Sequence, residues 1–331
     1  FRIKKRVIKM LMKKFSKSET EVSNLGYGCW GIGKTFWIGA ADDESKKALH
    51  AAIDNGINLF DSALVYGDGH SEKLVGEVEK ESGKELFITS KIPSKKYEWP
   101  AKDESTFEES FSKEHIVKCT EKSLRNLKRD YLDLQQFHVW NDKWADNDEW
   151  KEAVYQLKKD GKVRFFGISI NDHQPENGIK AGETGLIDGF QVIFNIFDQK
   201  PADKLFPFCK ENNISILARV PLDEGGLTGN ITEDTQFPTN DFRAHYFKDD
   251  RKKQVKERVD KIWEEVKEET GSMVEAALRY IIGFDAVTSV IPGMRTKKHL
   301  LSNIEIINKG PLSNDLMERL KAHKWERNFY K

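Results

Sequence analysis

Four side chains that can hold or move a proton stand at or just after the end of an apolar run. Asp61 and Tyr66 lie five residues apart in GINLFDSALVYGDGHSEKLVG, which spans 56–76. Lys91 ends the run LFITSK, and His138 ends YLDLQQFH. Because barrel enzymes keep their chemistry where parallel strands end, we expect these four side chains to converge.

A phenol beside an ammonium is suited to protonating a carbonyl oxygen. A tyrosine has a pKa of about 10, and a nearby ammonium stabilises the phenolate and lowers that value. We expect Lys91, held by Asp61, to act on Tyr66 in this way, while His138 orients the same carbonyl. Protonation of a carbonyl oxygen reduces it only if hydride reaches the carbon, which requires a nicotinamide cofactor.

Each of the four residues also has a structural interpretation. Asp61 could cap a turn, Lys91 could form an ordinary ion pair, Tyr66 could be a turn aromatic, and His138 could be a satisfied core imidazole. Their joint placement after consecutive strand-like runs favours a catalytic role.

Strand-like and helical segments alternate along the chain. Because alternating elements predict parallel strands joined by right-handed crossovers, eight such units predict an α/β fold, the (β/α)8 TIM barrel. The eight predicted strands are 23–30, 57–61, 86–91, 131–138, 163–169, 189–195, 214–220 and 286–291. The predicted helices are 43–55, 71–80, 114–128, 148–159, 172–184, 202–212 and 272–282.

Two connections are long and should lie at the carboxyl-terminal face of the barrel. The segment 221–285 contains DDRKKQVKERVDKIWEEVKEE, whose apolar spacing predicts an extra amphipathic helix. We expect 222–247 to form a flap over a cofactor or substrate, and the loop 92–113 to wall the substrate pocket. The domain division is a basic tail over 1–14 followed by a single barrel over 15–331.

Composition excludes several function classes. The 331 residues carry 54 basic and 54 acidic side chains, interspersed, so no net field attracts nucleic acid. Three widely spaced cysteines lack any disulfide or zinc spacing, which predicts no metal site and a reducing cytoplasmic location. No apolar run approaches the roughly 20 residues that span a bilayer, so membrane insertion is not expected.

Two glycine-rich matches near the amino terminus suggest a different function. GCWGIGKT, residues 28–35, has the spacing of a P-loop, and GYGCWG, residues 26–31, has that of a dinucleotide-binding loop. Both motifs need a helix that starts at once to cradle phosphate. Here helical spacing begins only near Asp43, so a phosphoryl-transfer enzyme is the weaker alternative.

The signature 56–76, the lysine of FITSKI and the histidine of LQQFHVW together resemble the aldo-keto reductase family. The resemblance runs from about Phe15 to the end of the chain. It implies that Asp61, Tyr66, Lys91 and His138 form a catalytic tetrad with Tyr66 as the general acid. It also implies NADPH bound across the barrel mouth and a small carbonyl compound or a keto-sugar as substrate.

The resemblance also implies cofactor contacts where local motifs match. Ser169 and Asn171 resemble the family's serine and asparagine that hold the nicotinamide amide, and Gln191 resembles a glutamine with the same role. Arg219 stands where the family often has an aromatic side chain that stacks on the nicotinamide, and a guanidinium can also stack. The remaining cofactor candidates are Pro221, Leu222 and Gly225 near the pyrophosphate, and Gly293, Arg295 and Asn303 near the adenosine phosphate, with Lys297, Lys298 or His299 as helpers.

The substrate pocket is predicted from aromatic residues close to the expected mouth. Trp30, Trp37, Trp99 and Trp140 would give walls suited to sugar faces or apolar aldehydes. A non-catalytic subunit that senses NADPH on the same fold, similar to the potassium-channel β-subunits, is a further alternative, because fold and site do not prove turnover.

Overall fold

Eight parallel strands form the framework of the structure, a computed structural model that describes residues 10–35, 37 and 39–326. The strands lie in chain order around the sheet. Parallel bridges between Leu25 and Val290 and between Gly28 and Gly293 join the first strand to the last. The (β/α)8 barrel expected from the sequence is confirmed. The barrel strands are Tyr27–Gly28 (β3), Leu59–Asp61 (β4), Phe87–Ile92 (β5), Leu132–Phe137 (β6), Val163–Ser169 (β7), Gly189–Ile193 (β8), Ser215–Arg219 (β9) and Val287–Val290 (β10).

Helices cover the outside of the barrel. Their buried faces are apolar, as in α9, where Val255, Val259, Ile262 and Val266 are buried among charged residues. This is the amphipathic helix predicted within the long connection 221–285. The helices are Asp42–Asp54 (α1), His70–Ser82 (α2), Phe107–Ser110 (α3), Lys113–Leu127 (α4), Asp148–Lys159 (α5), Ile179–Glu183 (α6), Leu205–Asn212 (α7), Phe242–Tyr246 (α8), Arg251–Val266 (α9), Met273–Ile282 (α10), Lys297–Ile307 (α11) and Asn314–Arg319 (α12).

A short hairpin closes the amino-terminal end of the barrel. Its strands, Met12–Lys14 (β1) and Glu21–Ser23 (β2), pair antiparallel. Phe15, in the turn, is fully buried and its ring centroid lies 4.7 Å from that of Phe87. The folded region therefore begins before the boundary at residue 15 that the sequence suggested. Residues 1–9 of the expected tail lie outside the described residues.

The glycine-rich segment after β2 closes the barrel and forms no phosphate loop. A Cβ atom at Gly28 would lie 3.0 Å from the carbonyl oxygens of Ile291 and Pro292, so glycine allows the first and last strands to meet. A 3-10 turn, Trp30–Ile32, follows, and α1 begins only at Asp42. Among the described residues, no α-helix therefore begins between this motif and Asp42.

Among the described helices, none is long and apolar enough to cross a lipid bilayer.

A close approach between α2 and the end of α4 predicts a sensitive position. A Cβ atom at Gly76 would lie 2.2 Å from the carbonyl oxygen of Leu127. We expect Gly76→Ala to lower the free energy of unfolding by about 1–3 kcal/mol, because the helices must separate. Gly271→Ala, whose Cβ atom would meet only Glu275 Oε2 at 3.5 Å, is the matched control. Equal denaturation midpoints for the two variants would contradict this packing.

Candidate active site

The carboxyl ends of neighbouring strands bring the four predicted residues together. Asp61 is the last residue of β4, Lys91 lies near the end of β5, and His138 directly follows β6. Tyr66 lies in the turn between β4 and α2, where its backbone carbonyl accepts a hydrogen bond from the Ser71 amide. The structure therefore brings all four side chains to the same end of the barrel.

A buried ion pair lies at the centre of the site. Lys91 Nζ donates to both carboxylate oxygens of Asp61 at 2.9 Å and to the Ser62 carbonyl at 2.7 Å. The Lys91 side chain is fully buried. Asp61 Oδ1 also accepts hydrogen bonds from Thr89 Oγ1 at 2.6 Å and Gln191 Nε2 at 2.8 Å. Because buried charges are costly unless paired and hydrogen-bonded, this network keeps the ammonium in a single position.

The Tyr66 hydroxyl lies next to this ion pair. Lys91 Nζ is 3.4 Å from Tyr66 Oη and 5.0 Å from the centre of the ring. Burial and the Asp61 carboxylate raise the pKa of Tyr66 well above its usual value, while Arg219 lowers it. Burial therefore outweighs the nearby cations in setting the pKa of Tyr66. The Tyr66 hydroxyl therefore stays protonated near neutral pH.

His138 packs edge-on against Tyr66. The ring centroids are 6.0 Å apart, and Trp99 packs edge-on against the other side of His138 at 4.8 Å. Burial, assisted by Lys91 and Arg219, lowers the pKa of His138 well below its usual value. A neutral imidazole can donate one hydrogen bond from a ring nitrogen, which suits it to hold a carbonyl oxygen.

Ser169, at the end of β7, fits a bound carboxamide. Its side chain is buried, and within the described part of the chain Ser169 Oγ has no hydrogen-bond partner. Buried hydroxyls are normally satisfied, so this one fits a ligand group such as the nicotinamide amide. Gln191, expected to share that role, uses its amide nitrogen on Asp61 instead.

Asn171 braces a loop in this structure. Its side-chain oxygen accepts from the Trp140 amide at 3.2 Å and from the Ala101 amide at 3.5 Å. Its nitrogen donates to the Ala101 carbonyl and to Gln174. Protein groups thus occupy both ends of the amide, so we do not assign Asn171 to the cofactor.

Arg219 ends β9 at the rim of the site. Its Nη2 donates to the Ile170 carbonyl at 2.9 Å and to the Asp172 carboxylate. Its guanidinium carbon lies 5.6 Å from the Trp99 ring centre. The side chain is therefore fixed in direction before any ligand binds.

The other cofactor candidates lie along the rim from β9 to α11. Pro221 and Leu222 lead into a 3-10 turn, Asp223–Thr228, in which Gly225 has φ 108° and open space at the Cβ position. Gly293 also has open space there. Arg295 packs against Gly31 and Trp37, and Asn303 is buried in α11. Burial and the neighbouring Arg243 lower the pKa of Arg295.

Lys297 and Lys298 begin α11, and both are exposed. His299, the third predicted helper, is also exposed, and its backbone amide donates to the Thr296 hydroxyl that caps the helix. Cations at a helix amino terminus form a setting that fits a phosphate.

Three of the four predicted tryptophans surround Tyr66 and His138. Trp30 stacks on Tyr66 at 6.3 Å and meets Trp37 edge-on at 6.0 Å, while Trp99 contacts His138. The prediction for Trp140 is wrong. Its side chain is fully buried and stacks on Phe137 at 5.2 Å, and its indole nitrogen donates to Asp142. Trp140 therefore belongs to the core.

The two long connections contribute to the same mouth. Phe242, in the predicted flap, contacts Trp30 at 5.3 Å, and Arg243 lies 4.3 Å from the Trp37 ring centre. In the loop 92–113, Phe107 and Phe111 are buried in the core, and Trp99 is the aromatic that contacts His138.

Sequence reasoning missed two acidic residues at the mouth. Asp172 accepts from Arg219 and from the Trp99 indole nitrogen, the latter at 3.5 Å. Glu224 is partly buried, and burial together with Asp223 and Asp172 raises its pKa to about 8. The sequence segment DEGG contains Glu224, but only the fold shows that Glu224 raises the pKa of Tyr66.

Comparison with known proteins gives consistent results. The profile of the Aldo/keto reductase family matches residues 24–324. Aldo-keto reductase YhdN of Bacillus subtilis is 31% identical over 291 residues, which cover 86% of this chain and 85% of that protein. The NADH-specific methylglyoxal reductase of Escherichia coli is 29% identical over 238 residues, 67% of this chain and 71% of that protein. The structure of the glycerol dehydrogenase AKR11B4 from Gluconobacter oxydans superposes with a TM-score of 0.78 at 28% identity, covering 94% of each chain.

The Asp61–Lys91 pair predicts a strong energetic coupling. Lys91→Met leaves the Asp61 charge buried without its cation, and Asp61→Asn leaves the ammonium without its anion. We expect each single change to lower the free energy of unfolding by about 3–5 kcal/mol. The double variant should lose clearly less than the sum of the two single losses, because removing both charges leaves no unpaired charge. Additive losses in urea denaturation would show that the two charges are not coupled.

Proposed function

This chain belongs to the aldo/keto reductase family, and we propose that it reduces an aldehyde or ketone to the alcohol with NADPH as the electron donor. One observation carries the proposal. The Tyr66 hydroxyl lies 3.4 Å from the ammonium of a buried, doubly hydrogen-bonded Lys91–Asp61 pair, with a neutral His138 beside it. This arrangement supplies a proton donor and a hydrogen-bond donor to one carbonyl oxygen.

The side chains divide the work as follows. His138 donates a hydrogen bond to the carbonyl oxygen and holds it beside Tyr66. Tyr66 then gives its proton to that oxygen as negative charge develops on it. Lys91 donates to the phenolate oxygen that remains, and Asp61 keeps Lys91 in place. When bound, the nicotinamide supplies the hydride that this chemistry needs.

The cofactor site combines an unsatisfied hydroxyl with a cationic rim. Ser169 Oγ would take the nicotinamide amide. Arg295, Lys297 and Lys298 lie where an extra phosphate would meet positive charge and a helix amino terminus. These residues support NADPH as the cofactor rather than NADH, although the methylglyoxal reductase relative is named NADH-specific.

The substrate is a small carbonyl compound. Trp30, Trp37 and Trp99 give the mouth flat apolar walls, and Asp172 and Glu224 add acceptors for hydroxyl groups. Such a lining suits short hydroxylated or dicarbonyl aldehydes better than bulky apolar ones. The three cysteines are buried and unbridged, which accords with action in a reducing cytoplasm.

Tyr66→Phe tests the general acid directly. We expect kcat for reduction of methylglyoxal or glyceraldehyde to fall about 10²–10⁴-fold, because the proton donor is lost. NADPH affinity should remain within about threefold, since the phenol ring stays in place. Tyr155→Phe, at an exposed position of α5, is the matched control. Full turnover in Tyr66→Phe would refute the assignment, whereas tight NADPH binding without turnover in the wild type would favour the sensing subunit.

Arg295→Gln tests the choice of cofactor. We expect the Kd for NADPH to rise about tenfold or more, because a charge-assisted contact to phosphate is worth about 1.5–3 kcal/mol. The Kd for NADH should change much less. Isothermal titration with both cofactors gives the comparison, and Arg319→Gln, on α12, is the control. An equal loss for both cofactors would remove Arg295 from the recognition of the extra phosphate.

A further inference from the structure

The glycine-rich segment 28–35 makes close contacts that the catalytic tetrad alone does not explain. A Cβ atom at Gly33 would lie 2.8 Å from the carbonyl carbon of Tyr66 and 3.0 Å from its Cβ. The backbone of Gly33 itself has φ −74° and ψ −13°, which any residue can adopt. Glycine is therefore required at this position by the lack of space beside Tyr66 and not by the conformation of the chain.

The turn that carries Tyr66 packs closely against the same segment. Gly67, the next residue, has φ 69°, and a Cβ atom there would lie 2.1 Å from the carbonyl oxygen of Gly33. Trp30 stacks on the Tyr66 ring, with ring centroids 6.3 Å apart and an interplanar angle of 29°. The segment therefore contacts both the backbone and the ring of the proton donor.

The start of the segment is hydrogen-bonded to both ends of the catalytic turn. The Cys29 amide donates to the Asp61 carbonyl at 2.9 Å, and the Cys29 carbonyl accepts from Ser71 Oγ at 3.1 Å. Ser71 is fully buried in the first turn of α2, and its amide donates to the Tyr66 carbonyl at 3.1 Å. Asp61, Tyr66 and Ser71 thus each contact the same short segment, 29–33.

The lysine of the glycine-rich motif ties the segment to the neighbouring helices. Lys34 Nζ lies 2.8 Å from Asp42 Oδ1, and His70 Nε2 lies 2.9 Å from the same oxygen. Asp42 is the first residue of α1, and His70 is the first residue of α2. The motif that resembles a phosphate loop in sequence is therefore joined to the start of the helix that follows Tyr66.

We propose that the segment 29–33 positions the proton donor, with Gly33 as the residue that keeps the Tyr66 hydroxyl beside Lys91. The proposal rests on the reductase function above. Lys91 Nζ lies 3.4 Å from Tyr66 Oη, at the long end of the range for a hydrogen bond, so a small movement of the Tyr66 backbone breaks this contact. Gly33 acts through Tyr66 and is a positioning residue.

Gly33→Ala tests the proposal by adding one methyl group beside Tyr66. We expect kcat for methylglyoxal reduction to fall about 10–100-fold, because small displacements of a reacting group are costly. The KM for methylglyoxal and the Kd for NADPH should stay within about threefold. Gly271→Ala, whose Cβ atom would meet only Glu275 Oε2 at 3.5 Å, is the matched control and should keep the wild-type kcat. An unchanged kcat in Gly33→Ala, or a loss confined to KM, overturns the proposal.

Ser71→Ala loosens the same contact without adding an atom, so it decides the question if Gly33→Ala does not fold. It removes the hydroxyl that donates to the Cys29 carbonyl, and we expect kcat to fall about 3–10-fold. Ser82→Ala, at the other end of α2, loses a similar hydrogen bond to the Glu79 carbonyl at 2.8 Å and should keep the wild-type kcat. Equal kcat values for the two serine variants overturn the proposal.

A double variant shows whether Gly33 acts through the Tyr66 hydroxyl. If it does, adding Gly33→Ala to Tyr66→Phe should lower the residual turnover by less than about threefold, since the hydroxyl is already absent. A general loosening of the site would lower turnover by the same factor in both backgrounds, and that result overturns the proposal.

A measurement on the unliganded protein separates this proposal from the reductase function. Tyrosine labelled with ¹³C in the ring gives NMR signals, and the Tyr66 signal is the one lost in Tyr66→Phe. Because Trp30 stacks on this ring, Gly33→Ala should shift the Tyr66 signal, and Gly271→Ala should leave it unchanged. A shifted signal without wild-type turnover supports the positioning of Tyr66 and rejects the reductase function. An unshifted signal in Gly33→Ala overturns the positioning itself.

Discussion

The buried ion pair between Lys91 and Asp61 is the interaction on which the site depends. Neither charge could remain inside the barrel alone, and the pair is satisfied by groups from two strands and one turn. The barrel supplies those groups because parallel strands end side by side. The same pair fixes an ammonium 3.4 Å from the Tyr66 hydroxyl. The ion pair therefore neutralises a buried charge and also places a cation beside the phenol.

Burial has opposite effects on the two groups that face a substrate oxygen. It raises the pKa of Tyr66 and lowers that of His138, so both remain neutral and able to donate near pH 7. Cations near Tyr66 stabilise the phenolate that forms when it gives up its proton. Lys91 from β5 contacts the phenol directly, and Arg219 from β9 lowers its pKa.

The sequence predicted the barrel and the tetrad for the same physical reason. Apolar runs mark the strands, and polar residues at the ends of such runs reach a shared rim, which located Asp61, Lys91 and His138. Trp140 shows the limit of that reasoning, because two residues beyond His138 the side chain already packs into the core. The contacts of Asn171 could not be predicted because its partners, including the backbone of Ala101, are distant in sequence. Glu224 could not be found at all, since its position depends on a turn with positive φ anchored from α9.

The central claim is that this site delivers hydride to a carbonyl carbon while Tyr66 protonates the oxygen. The most direct measurement follows the hydrogen itself, using NADPH deuterated at the transferable position of the dihydronicotinamide and methylglyoxal as the acceptor. We expect mass spectrometry to find one deuterium on the former carbonyl carbon of the alcohol product, formed at a rate that collapses in Tyr66→Phe. An alcohol product without deuterium, or an unchanged rate of deuterated product formation in Tyr66→Phe, would contradict the account.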